Sequence, residues 1–126
     1  MSSFAAQVER FFDEFFELDP LSATAAGMHL HDGRWPDLTG AGRLARVAFA
    51  QRWQLSFGAI PVADLDRDED VDRRLLLQVL DEILFNDTEL LQLAWDPLEW
   101  VYILGGGIFP LIAREFAPLA ERLASV

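Results

Sequence analysis

The sequence predicts an all-α protein, an irregular bundle of about five to six helices. Three observations lead there. Apolar residues recur at three- and four-residue steps along most of the chain, Asp-Pro and Thr start signals alternate with Gly stop signals, and no stretch alternates with period two between hairpin turns. At 126 residues the chain suffices for one domain, and no linker interrupts it, so residues 1–126 are read as a single helical segment without an internal boundary.

In residues 3–18, Phe4, Val8, Phe11, Phe12, Phe15 and Phe16 share one side of a helix while Glu9, Arg10, Asp13, Glu14 and Glu17 take the other. Asp19-Pro20 ends that helix and opens the next. The residue before a proline is pushed out of the α region, Asp suits an N-cap, and Pro fits a first helical turn. A short second helix over residues 20–26 is closed by Gly27. Residues 27–42, with Gly33, Pro36 and Gly40 and no sustained period, read as an ordered loop holding both histidines. Thr39 then caps a third helix to about Phe57, with Leu44, Val47, Ala48, Phe49, Trp53 and Leu55 available for burial and Gly58 and Pro61 ending it.

Carboxylates crowd residues 64–72, where the positive end of a helix dipole favours them, so a long central helix is predicted to start there. Its apolar positions, from Val71, Leu75, Leu76, Val79 and Leu80 through Leu91, carry it to about Ala94 and are enough to bury more than one face. Asp96-Pro97 repeats the start signal for a short apolar helix to Leu104. The triplet Gly105-Gly106-Gly107 and Pro110 are then expected to turn the chain into a last helix ending near Ser125. That helix stops in mid-pattern without a Gly or Asn stop signal, from which a longer parent protein is expected.

A net charge of −11 repels phosphate backbones, so no nucleic acid is expected as a ligand. The absence of Cys rules out disulfides, thiolate zinc sites and cysteine nucleophiles. Met1-Ser2-Ser3-Phe4 is not a basic leader, and the uncharged run over residues 100–113 is too short to span a bilayer; a cytoplasmic location without membrane contact is expected. Ten Phe and four Trp exceed what so small a domain readily hides, which points to a partner: either the remainder of a parent polypeptide or another protein, met through exposed apolar helices.

Few residues carry chemistry. His29-Leu30-His31-Asp32 offers two imidazoles beside a carboxylate, but only half a metal site, and the bland reading has both imidazoles bonded to loop backbone. The acidic run lacks the Gly and Glu of a calcium loop, and the glycine triplet lacks the endings of phosphate-binding fingerprints. Ser22, Thr24, Ser56 and Thr88 have no base spaced to activate them. Glu99 and Glu115 could be acids in an apolar setting, though Arg114 and Arg122 nearby make structural ion pairs the preferred reading.

The series Leu18-Asp19-Pro20, Ala23-Thr24, Gly27-Met28-His29, Asp32, Trp35-Pro36-Asp37-Leu38-Thr39, Trp95-Asp96-Pro97, Leu104-Gly105-Gly106-Gly107 and Arg114-Glu115-Phe116-Ala117-Pro118 resembles the N-terminal part of the bacterial family catalogued as domain of unknown function 885. Members look like longer helical zinc-dependent peptidases, with a His-Glu-x-x-His helix far downstream of the matched region. The resemblance implies that the parent is a metallopeptidase-like hydrolase and that this segment builds a helical wall of its cleft. The zinc motif is absent here, so no catalytic, cofactor-binding or metal-ligating residue is assigned, and any zinc belongs to the parent. If the loop over residues 27–39 faces the cleft, His29 and Asp32 are the substrate-contact candidates. His31 departs from the pattern by standing where an aromatic is expected. The competing expectation is a stand-alone helical interaction module using the Phe-rich helix or the surface over residues 95–109.

Overall fold

The computed structural model describes residues 3–126, an all-α irregular bundle with no strand among them. Its helices are α1 (Ser3–Leu18), α2 (Pro20–Ala25), α3 (Gly40–Gly58), α4 (Arg67–Phe85), α5 (Gln92–Trp95), α6 (Pro97–Ala113) and α7 (Leu119–Ala124). Single turns of 3-10 helix at His29–His31 and Val62–Asp64 and a π turn at Asn86–Leu90 lie between them.

The predicted start signals act as caps. Asp19 accepts from the Ser22 backbone N–H at 3.1 Å, Thr39 from that of Gly42 at 3.3 Å, and Asp96 from that of Leu98 at 2.9 Å. Before α4, Asp66 and Glu69 cap each other's backbone N–H groups at 2.8 and 3.1 Å, a reciprocal capping box.

The helices gather into two compact units. One combines Leu38–Gln92 with the first part of α1; the other combines Asp13–Asp37 with Leu93–Val126. The first has an aromatic core, because α1 and α3 both place rings at helical spacing. Phe11, 1% exposed, meets Phe49, Trp53 and Phe57 at ring distances of 5.4, 5.5 and 5.6 Å, and Phe4 meets Phe57 at 6.1 Å. Edge-on pairs of this kind add about 0.5–1.5 kcal/mol each beyond burial.

Against α3, α4 buries only Leu76 and Leu80, while Val71, Leu75 and Val79 stay exposed, so the expectation of several buried faces is corrected. On α3 itself Leu44 and Leu55 are likewise exposed. Gln54 of α3 donates to Asp81 of α4.

The long helix predicted to reach Ala94 ends at Phe85 instead. Arg46 clasps the Asp87 carboxylate through two bonds of 2.8 and 2.9 Å, and Arg43 donates to the Asp87 carbonyl at 2.9 Å. These tertiary bonds accompany a wider turn, closed by the Leu91 N–H on the Asn86 carbonyl at 2.8 Å, with Leu91 left-handed at φ 50°.

In the second unit the glycine triplet does not turn the chain. Helix α6 runs through Gly105, Gly106, Gly107 and Pro110 without interruption. A proline ring in a helix crowds the carbonyl four residues back; here that carbonyl belongs to Gly106, whose backbone can adjust most freely. Gly107 serves packing: a Cβ there would lie 2.6 Å from Trp35 Cη2 and 3.1 Å from Leu21 Cδ2. The predicted last helix is reduced to α7, since Arg114 leaves α6 in extended conformation and α7 starts only after Pro118.

Candidate functional site

The loop after α2 is set by a Schellman ending. Gly27 is left-handed at φ 86°, the Gly27 N–H donates to the Thr24 carbonyl at 3.1 Å, and the Met28 N–H donates to the Ala23 carbonyl at 2.8 Å. This reversal brings the turn His29–His31 back alongside α2.

Three side chains are thereby joined. The Thr24 hydroxyl, buried, lies 2.6 Å from Asp32 Oδ1, and Asp32 Oδ2 lies 2.9 Å from His29 Nδ1. The Asp32 side chain is 9% exposed and that of His29 is 32% exposed. Because an ionised carboxylate only accepts, the His29 proton belongs on Nδ1, which makes Nε2 the accepting nitrogen of a ring about one-third exposed. A second constraint fixes the ring: it stacks on Phe116 with centroids 3.6 Å apart and 12° between planes. The imidazole is thus held by a hydrogen bond along one edge and a ring across one face.

Phe116 is itself backed by a cation. The Arg122 guanidinium carbon lies 5.9 Å from the Phe116 centroid, and its nitrogens donate to the carbonyls of Ala117, Leu111 and Ile112 at 2.8, 3.0 and 2.8 Å. Leu111 and Ile112 end α6, so a buried positive charge meets carbonyls left without helical partners at the negative end of the dipole. Arg114 likewise donates to the Ala25 carbonyl at 3.1 Å, where α2 ends. The expected pairing of these arginines with Glu99 and Glu115 is corrected: their guanidinium groups bond backbone at helix ends.

His31 goes elsewhere. It is 8% exposed, and its Nδ1 lies 3.0 Å from Arg34 Nη1, which also donates to Glu17 at 3.0 Å. Guanidinium can only donate, so Nδ1 accepts and the His31 proton sits on Nε2. The expectation that both imidazoles bond loop backbone is corrected, since each takes a side-chain partner. The two histidines are bound into different networks, and no group of three or more metal-ligating side chains occurs among the described residues.

His29 and Asp32 are therefore brought together, and the sequence reading missed Thr24, Phe116 and Arg122 around them. The Thr24 and Phe116 motifs were visible, but nothing in a linear sequence says that a residue after α6 stacks on a residue after α2.

The rest of this unit carries a broad apolar surface. Leu98, Val101, Tyr102, Phe109 and Ile112 of α6 and Trp95 of α5 are exposed. No helix among the described residues is long and apolar enough to cross a membrane.

A scan against protein-family models finds no match, and a search of curated proteins finds none. Among solved structures, a protein from Shewanella oneidensis described as "a putative lipoprotein of unknown function" is similar over 99% of this chain, with a TM-score of 0.88 and 30% identity. This chain spans 22% of the length of that protein.

Proposed function

We propose that this chain is the helical N-terminal portion of a larger, metallopeptidase-like hydrolase whose loop over residues 27–39 presents His29 to substrate. The observation that carries the reading is the chain from Thr24 through Asp32 to His29, which orients one imidazole while leaving Nε2 for a visitor. A rigid loop side chain of this kind contributes to recognition at little ordering cost. The family-like motifs Gly27-Met28-His29 and Asp32 support the same residues, and the Shewanella likeness supports a fold embedded in a longer chain. Asp32 is a positioning residue and His29 a substrate contact. Any catalytic zinc belongs to the remainder of the polypeptide.

The test is peptide hydrolysis by the native gene product with and without zinc. His29→Ala is expected to raise KM up to about tenfold, the loss of one hydrogen bond, measured well below an unfolding midpoint that falls with the lost Asp32 bond and Phe116 stack. Asp32→Asn, which disturbs the tautomer without removing the ring, should fall between. Absence of zinc-dependent hydrolysis, or an unchanged KM in both variants, would remove the reading.

A second reading, a stand-alone interaction module, is favoured by one observation, the exposed apolar face of α6. Location divides two possibilities as well. The composition supports a cytoplasmic polypeptide, whereas carrying over the Shewanella protein's description would make this one a lipoprotein; cell fractionation with an antibody to the chain separates them.

A further inference from the structure

Helix α6 contains a single charged residue, Glu99, yet buries only Gly107 and Leu111. Its exposed residues spread over most of the helix surface, Trp100 and Leu104 among them, and one row within them is regular. Leu98, Tyr102, Gly105, Phe109 and Ile112 follow one another at steps of four, three, four and three, the spacing of a helix–helix seam, and Val101 flanks them. At 100° per residue this seam lies opposite the Gly107 and Leu111 side. Its four side chains are 50–70% exposed.

Gly105 lies at the middle of the seam. A glycine inside a helix is unfavourable relative to alanine and persists where something compensates. For Gly107 the compensation is visible, because Trp35 and Leu21 occupy the space of a Cβ. At Gly105, as at Gly106 off the seam, nothing lies within 4 Å of that position, and of the two only Gly105 sits in the apolar row. A helix laid across Gly105 would cover the apolar seam and fill the open space at its centre together.

We infer that this seam receives a further helix of the same polypeptide, outside the 126 residues, with Gly105 as the point of closest approach. The occupant is argued from the solved structure in which a closely similar fold makes up 22% of one chain. A helix of that continuing chain would lie within reach and meet no charge on the seam. The inference rests on the larger-polypeptide part of the proposed function and is independent of hydrolysis.

Gly105→Ala gives opposite signs in the two situations. On an uncovered helix face it raises the thermal midpoint by a few degrees, as expected for the 126-residue chain alone. In the native gene product the added methyl meets the covering helix, and the midpoint falls. Gly105→Leu should lower it further there. Catalytic activity is not part of the readout, so failure of the hydrolase reading leaves this result interpretable. A midpoint unchanged or raised by Gly105→Ala in the native gene product overturns the inference, as does a native product of only 126 residues, including one that dimerises through the seam.

Discussion

Gly105 and Gly107 look alike in the sequence and differ completely in their surroundings. Replacing Gly107 by alanine forces a methyl against the Trp35 indole and Leu21, and is expected to destabilise the chain by about 1–3 kcal/mol in denaturant unfolding. His29 and Asp32 were legible as candidates because they stand three residues apart in one loop, but their bond to each other was not, since backbone partners were expected. Its stacking partner Phe116 was not, since contact between distant segments follows from packing and leaves no local signature. Arg122 was misassigned for a related reason. Charge suggested a carboxylate partner, but the carbonyls ending α6 offer an equally negative site without desolvating a second ion.

Among the elements, caps were the most readable feature, since Asp19, Thr39 and Asp96 act through neighbours two or three residues away, although the Asp66 cap was read only as part of a dipole-favoured acidic run. Continuity was the least readable. Gly and Pro were taken as punctuation in α6, where close packing at Gly107 and backbone freedom at Gly106 let the helix pass. The apolar period past Phe85 was taken as more helix, where Arg43 and Arg46 hold Asp87 in a wider turn. Both partners of the Arg46–Asp87 pair are largely shielded, with 19% and 14% side-chain exposure. Asp87→Ala takes both carboxylate bonds from the shielded Arg46 guanidinium and is expected to cost about 2–4 kcal/mol, whereas Arg46→Met combined with Asp87→Leu should cost less than that single change. Equilibrium unfolding of the two variants checks the order; a double variant that loses as much as Asp87→Ala or more would contradict it.

At the scale of the whole molecule, the all-α class was legible from periodicity alone, whereas the side each helix turns to solvent was not. Apolar spacing on α4 and α6 predicted burial, yet Val71, Leu75, Leu98 and Phe109 are open among the described residues. Periodicity marks a face that wants cover without naming what covers it. The central claim is the proposal that more polypeptide covers α6. The intact mass of the protein purified from its native source tests that claim most directly. A mass well above the 14.2 kDa of this chain is the expected result. A native product of 14.2 kDa would contradict it, returning the apolar seam of α6 to the account of a stand-alone interaction module.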